Sequence, residues 1–142
     1  MAKNIEELIP HRAPFLFVDE ITHVSMEEIV AVKTFETCET MLKDSFTDCC
    51  SVPGTILIES IAQAGGAGIR LLGITDGIFA LVQIESAQFF AGVPFNQEVK
   101  YVIKNIRMSE KIIKQSGKAY VGDNEVMEVT WMSIKIGERH TT

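Results

Sequence analysis

The stretch from Val52 to Leu72 constrains the fold most, because it is a long apolar run with a single acid, Glu59, near its middle. It opens with Pro53, and proline suits the first position of a helix, since its missing N–H would be unsatisfied there in any case. Apolar residues around most of the circumference predict a helix, about 53–71, that is buried inside the protein. The charges of Glu59 and Arg70 make this helix too polar to span a membrane.

Positions three and four apart sort the residues of this helix into two faces. Glu59, Gln63, Gly66 and Arg70 lie on one face, where Gln63 and Arg70 are open to either a site role or a structural role. The other face is apolar and consists of Ile58, Ile61, Ala62, Gly65, Ile69 and Leu72. The glycines in the second half of the helix are poor helix formers. They therefore predict the close approach of another backbone, from a sheet wrapped around the helix.

The rest of the chain has strand-like patterns separated by turn residues. A short helix capped by Asn4 is predicted to run to Leu8, followed by a turn and a first strand within IPHRAPFLFVDEI, in which residues 15–18 are a continuous apolar run. Further strands are predicted over 28–35, 79–90, 98–108, 112–121 and 125–136. One long helix with several antiparallel strands is an α+β layout. At 142 residues, the chain is expected to form a single domain, 1–142.

Composition excludes several function classes. A net charge of −6 argues against a nucleic-acid partner, which needs clustered Lys and Arg. The first residues, MAKNIEEL, lack the apolar core of a signal peptide. The three cysteines are an odd number without CxxC spacing. We therefore expect a reduced, cytoplasmic protein with no membrane association, no metal and no cofactor.

Three segments resemble the signatures of one family. They are PHRAPFLFVDEI near the start, PGTILIESIAQAGG in the long helix and IESAQFFAGVPFNQEV after it. In this order and at this chain length, they are similar to those of the (3R)-3-hydroxyacyl-ACP dehydratases of bacterial fatty acid synthesis. The resemblance implies a hotdog fold, in which an antiparallel sheet wraps a central helix. It also implies a homodimer with active sites at the subunit interface, a dimer that can assemble further into a trimer of dimers.

The resemblance also implies roles for individual residues in binding and dehydrating an acyl-ACP or acyl-CoA thioester. Glu59 is at the position of the acid that protonates the departing 3-hydroxyl group. Gly54 is where the helix's N-terminal amides hold the thioester carbonyl, a place that favours developing negative charge. Gln63, one turn after the acid, could orient Glu59 or a water molecule. Beside Glu59 we expect an elongated apolar cavity at the dimer interface, lined partly by Phe89, Phe90 and Pro94.

The family's base is missing from this chain. In the family, a histidine in a loop motif H-F-P-G precedes the acid by fourteen residues, and that position here is Ser45 within SFTD. Only Phe46 is retained. Serine cannot abstract an α-proton by itself at neutral pH, and His11, in the PHR motif, is interpreted as structural. The possible substitutes are the neighbouring loop residues Asp44, Asp48, Cys49 and Cys50, for which solvated turn positions are the plainer interpretation.

Three functions are compatible with this pattern. The first is a 3-hydroxyacyl-ACP dehydratase of fatty acid or related polyketide synthesis, in which another base, or a heterodimer with a histidine-bearing homologue, completes the site. The second is a hotdog thioesterase that uses Glu59. The third is a non-catalytic acyl-binding or partner subunit, in other words a pseudoenzyme. The products of an assay distinguish them, because only a thioesterase releases a free thiol.

Overall fold

The computed structural model describes residues 4–36, 51–75 and 77–138. These residues form a six-stranded antiparallel sheet that curves around one long helix. The helices are α1 (Ile5–Leu8) and α2 (Gly54–Leu72), and the strands are β1 (Glu20–Val24), β2 (Glu28–Thr34), β3 (Gly77–Phe89), β4 (Glu98–Met108), β5 (Ile112–Val121) and β6 (Asn124–Glu138). The strand order is β1-β2-β4-β5-β6-β3, which leaves β1 and β3 at the two edges. The predicted α+β hotdog fold is thereby confirmed.

The ends of α2 follow from its flanking residues. Pro53 is the N-cap, with φ −57° and ψ 139°, so the helix begins one residue later than predicted, at Gly54. Gly73 ends it in the left-handed conformation, with φ 74°, which glycine adopts without a steric penalty. The Gly73 N–H donates to the carbonyl of Arg70 at 3.1 Å. The short helix α1 is also confirmed, with Asn4 Oδ1 accepting from the N–H of Glu6 at 3.2 Å.

Two glycines allow the sheet to lie close to α2. A Cβ atom added to Gly68 would lie 2.5–2.7 Å from the side chain of Ile29 on β2, and one added to Gly65 would overlap the side chain of Gln115 on β5. Gln115 is buried and donates to the carbonyl of Gly65 at 3.3 Å and to Asn105 Oδ1 at 2.9 Å. The predicted close approach is therefore correct. The expectation of a neighbouring backbone was wrong, because the strands reach the helix through their inward side chains.

A buried hydrogen-bonded chain connects the sheet, α2 and the segment before β1. Tyr101 on β4 donates to Ser60 Oγ at 2.7 Å, and Ser60 donates to the carbonyl of Phe17 at 2.7 Å. Burial raises the pKa of Tyr101, so its phenol stays neutral and remains a donor. The surrounding core includes the large, fully buried side chains of Trp131, Phe35, Ile29, Ile61 and Ile103.

The first strand begins only at Glu20, so the prediction that the apolar run 15–18 belongs to it was wrong. The segment's backbone groups bond to the helix instead of a neighbouring strand. The N–H of Phe17 donates to Gln63 Oε1 at 2.8 Å, and Gln63 Nε2 donates to the carbonyl of Phe15 at 3.2 Å. Buried backbone groups need partners, and two polar side chains of α2 supply them here.

The other predicted strands are confirmed, and their bounds agree with β2 to β6 within two residues. The turn between β5 and β6 contains Gly122 at a positive φ of 60°. Among the described residues, neither helix is long and apolar enough to cross a membrane.

Two glycines of α2 that are two residues apart test the packing argument, because their substitutions should change stability in opposite directions. Gly68→Ala is expected to destabilise the fold by about 1–2 kcal/mol, because overpacking against Ile29 outweighs the gain in helix propensity. Gly66→Ala is the matched control, since the nearest atom to its added methyl group is Ile9 Cγ2 at 3.9 Å. That variant is expected to gain about 0.5–1 kcal/mol. Urea unfolding midpoints measure both changes, and equal midpoints would contradict the packing described here.

Candidate active site

A cavity of about 200 Å³ lies beside α2, bounded by the segment after α1 and by the start of β3. Glu59, Gln63, Gly66 and Arg70, the polar face predicted from the helical spacing, all border it. Much of the remaining wall is apolar and includes Ile9, Ala62, Ile69, Ile78, Phe79 and Leu81. An apolar cavity with a few convergent polar groups is the usual form of a small-molecule site.

Glu59 contacts two nitrogen-bearing side chains through the same carboxyl oxygen. Gln63 Nε2 donates to Glu59 Oε2 at 3.0 Å, and His11 Nε2 lies 3.5 Å from that oxygen. The Glu59 side chain keeps 26% of its surface exposed, so it is open to the cavity as well as held by its neighbours. A carboxyl group in this setting can exchange a proton with a molecule bound in the cavity.

Gln63 has a fixed orientation. Its amide oxygen accepts from the N–H of Phe17, and its amide nitrogen donates both to the carbonyl of Phe15 and to Glu59. The side chain is only 3% exposed. Three partners fix which end of the amide faces the acid, so Gln63 presents a donor to Glu59. This geometry is the one expected of a residue that orients Glu59.

The structure places His11, which the sequence analysis interpreted as structural, at the cavity beside Glu59. The chain after α1 folds back over α2 and brings His11 against Glu59, with its ring roughly parallel to Phe15 at a centroid distance of 6.3 Å. Desolvation by burial lowers the pKa of His11 more than the Glu59 charge raises it, and Arg12 lowers it further. The imidazole is therefore neutral at pH 7. Its Nδ1 atom is buried and has no hydrogen-bond partner in the described part of the chain.

Arg70 lines the cavity three turns beyond Glu59, about 16 Å along the helix axis at 1.5 Å per residue. Its Nη1 atom is buried and has no hydrogen-bond partner within residues 4–36, 51–75 and 77–138. Glu59 pairs with His11 and Gln63 rather than with Arg70. The polar groups at the two ends of this helical face therefore do not contact each other.

The remaining predicted site residues gather near the N-terminus of α2. A Cβ atom on Gly54 would lie 2.9 Å from the ring of Phe89, so this ring lies directly over the first turn of the helix. Phe89 and Phe90 are about half exposed, and Pro94 forms a β-bridge with Ser51, just before the helix. None of these aromatic and proline side chains lines the cavity beside Glu59. The prediction that Phe89, Phe90 and Pro94 line a cavity between two chains stays a prediction.

The loop that carries the vacant histidine position lies outside the described residues. This holds for Ser45 and Phe46, and for the four substitute bases considered above. The absence of a histidine at this position is therefore a fact of the sequence, and its geometric consequence stays a prediction.

The His11 environment predicts a pH dependence of folding stability. The unfolded imidazole takes up a proton near pH 6.5, whereas the folded one does so only at lower pH. In that interval the unfolded chain binds more protons, so stability falls as the pH falls below 6.5. The loss of melting temperature between about pH 7.5 and about pH 5.5 should be smaller in His11→Gln than in the wild type. His23→Gln, at an exposed histidine on β1, is the matched control, and equal losses in the wild type and His11→Gln would contradict the burial argument.

Comparisons with known proteins identify a family and relatives of similar sequence. A family model described as ApeP-like, ApeP dehydratase, matches residues 3–77. The 3-hydroxyacyl-acyl-carrier-protein dehydratase FabZ of Koribacter versatilis is 34% identical over 131 residues, which cover 89% of this chain and 83% of that protein. The enzyme of the same name from Coxiella burnetii is 29% identical over 137 residues, covering 93% of this chain and 96% of that protein.

Among solved structures, the dehydratase heterocomplex ApeI:P from Xenorhabdus doucetiae has a chain that superposes with a TM-score of 0.85. The match covers 96% of this chain and 93% of that chain at 15% sequence identity. At this identity, the likeness establishes the shared fold.

Proposed function

The chain belongs to the ApeP-like dehydratase family, and on that premise we propose that it binds a 3-hydroxyacyl thioester, with Glu59 as the general acid of dehydration. The observation that carries this proposal is the placement of Glu59, which borders an apolar cavity and is held by Gln63 at 3.0 Å. The FabZ relatives support an acyl-carrier-protein thioester as the substrate, in fatty acid or polyketide synthesis. A coenzyme A thioester remains the alternative carrier, and a cytoplasmic location stays a prediction.

The proposed reaction is an elimination of water. A base takes the α-proton, the electron pair of that C–H bond forms the new C–C double bond, and the C–O bond at the third carbon breaks. Glu59 gives its proton to the departing hydroxyl, and the products are the trans-2-enoyl thioester and water. The thioester oxygen, which gains negative charge as the α-proton leaves, is stabilised by the first amides of α2 near Gly54.

In our proposal, the group that takes the α-proton does not belong to the described part of this chain. Serine cannot fill the role of the loop histidine, so the homodimer is expected to be a poor dehydratase. A homologue that retains the histidine loop would complete the site in a heterodimer. The heterocomplex from Xenorhabdus doucetiae supports this arrangement, since one chain of that dehydratase shares the fold of this protein.

The β3 edge supports the proposed pairing of two chains into one continuous sheet. β3 has thirteen residues and exposes Leu81, Val82 and Ile84, which are 38%, 48% and 45% exposed. A long apolar edge strand tends to pair with a strand of another chain unless it is covered. A second hotdog subunit, either a copy of this chain or the proposed homologue, would cover it.

An activity assay tests the dehydratase proposal. With a 3-hydroxyacyl-ACP substrate, the protein mixed with a histidine-bearing homologue is expected to form the enoyl product much faster than either protein alone. Glu59→Gln should reduce that rate by about 100-fold or more, because it removes a general acid. Glu110→Gln, at a side chain that is 69% exposed, is the matched control.

Ser45→His should raise turnover of the homodimer, provided that the loop, which has Thr47 and Asp48 in place of proline and glycine, directs the new side chain toward the substrate.

The other outcomes of this assay identify the alternatives. Release of free thiol that depends on Glu59 would identify a thioesterase. Substrate binding without turnover under every pairing would identify a non-catalytic acyl-binding subunit. Fast dehydration by the wild-type homodimer would refute the proposal of a missing base.

Assembly has a separate test. Val82→Lys combined with Ile84→Lys should convert the dimer to a monomer in analytical ultracentrifugation, because two charges would be buried without partners at the β3 edge. Ile106→Lys is the matched control, since Ile106 is 54% exposed on β4, away from that edge. A wild-type protein that sediments as a monomer at micromolar concentration would contradict the pairing.

A further inference from the structure

The carboxyl group of Glu59 is contacted asymmetrically. Both neighbouring nitrogens, Gln63 Nε2 at 3.0 Å and His11 Nε2 at 3.5 Å, face the single oxygen Oε2. A protonated carboxyl has one oxygen that accepts and one that carries the hydrogen. We propose that His11 is a positioning residue, which together with Gln63 holds Oε2 as the accepting oxygen and so leaves the proton on Oε1 for the substrate. This inference rests on the proposed role of Glu59 and adds a residue to it.

The surroundings of the imidazole indicate which nitrogen carries its hydrogen. Nδ1 is buried without a partner in the described residues, whereas Nε2 faces the oxygen of Glu59. A buried N–H without an acceptor is rarer and more costly than an acceptor without a donor. The neutral ring therefore carries its hydrogen on Nε2 and presents a donor to Glu59. In that tautomer Nε2 has no free electron pair, so His11 cannot be the base that takes the α-proton.

The neutral state of His11 fits this role. Burial keeps the imidazole uncharged near pH 7, although Glu59 on α2 partly opposes this and Arg12 reinforces it. A cation at this position would favour the ionised form of Glu59 and thereby remove the proton that the acid must donate. A neutral donor positions the carboxyl group without drawing away its proton.

The position of the residue is set by its segment. The backbone of Phe15 and Phe17 bonds to Gln63, so the same side chain anchors the segment that carries His11 and contacts Glu59 directly. His11 itself remains 30% exposed at the cavity wall. Gln63 thus orients Glu59 directly and also anchors the segment that brings His11 to Glu59.

Kinetics of three variants test the inference in the active complex. His11→Ala is expected to lower kcat about 10-fold with little change in KM, because the contact that holds Oε2 of Glu59 is lost. His11→Gln should restore most of kcat, because its amide nitrogen can donate from nearly the same place and does not titrate. The acid limb of the kcat–pH profile, which the base sets, should be the same in His11→Gln and the wild type. His23→Ala, at an exposed histidine, is the matched control.

A base role for His11 predicts the opposite pattern. Turnover would be lost equally in His11→Ala and His11→Gln, and the acid limb of the pH profile would change. Unchanged kcat in His11→Ala, with Glu59→Gln inactive, would overturn the positioning role and leave the proposed function intact. Full activity of Glu59→Gln would overturn the proposed function itself.

Nuclear magnetic resonance of the nitrogen-labelled protein tests the tautomer without any assay. The ring of His11 is expected to show the Nε2–H form at neutral pH. It should also titrate at a lower pH in Glu59→Gln, since the charge of Glu59 raises its pKa in the wild type. A predominant Nδ1–H form, or a titration that does not respond to Glu59→Gln, would overturn the inferred contact.

Discussion

The hydrogen bonds from Ser60 and Gln63 to the segment before β1 determine much of the rest of the structure. Within the described residues, the stretch 15–18 is not part of the sheet, and the carbonyls of Phe15 and Phe17 and the N–H of Phe17 take their partners from α2. The same bonds hold the segment that follows His11 against α2, and His11 lies beside Glu59. A substitution that removes the amide of Gln63 would therefore disturb both the packing of the N-terminal segment and the orientation of the acid.

The central helix satisfies two demands on its opposite faces. Toward the sheet it is buried and carries small residues. The side chains of Gln115 and Ile29 occupy the space beside Gly65 and Gly68. Toward the cavity it is polar, and its acid is held by neighbours without being enclosed. Close packing on one face keeps the other face in a fixed position relative to the cavity walls. The rigidity that the proposed role of Glu59 requires thus comes from the core behind it.

The periodicity of the sequence predicted most of the fold. The long helix, the polar face with Glu59 and Arg70, and the strands of the second half follow from local patterns, and the structure confirms them. The segment 15–18 was predicted wrongly because its apolar run is indistinguishable from a strand until its hydrogen-bond partners are known. The contact of His11 with Glu59 depends on how the N-terminal segment folds back, and no local pattern encodes that long-range geometry. The resemblance to dehydratases indicated Glu59 as the acid, and His11 in its PHR motif was interpreted as structural.

The polar groups of the cavity and the part of its wall that β3 supplies come from different parts of the chain. His11, Glu59, Gln63 and Arg70 all fall within the 3–77 segment that matches the family model, whereas Phe79 and Leu81 belong to β3, beyond it. Substitutions in β3 can thus change the length and width of the cavity without altering its polar groups. A scaffold built in this way can diversify its substrates through the wall strand, while the polar face of the helix and its N-terminal segment remain constant.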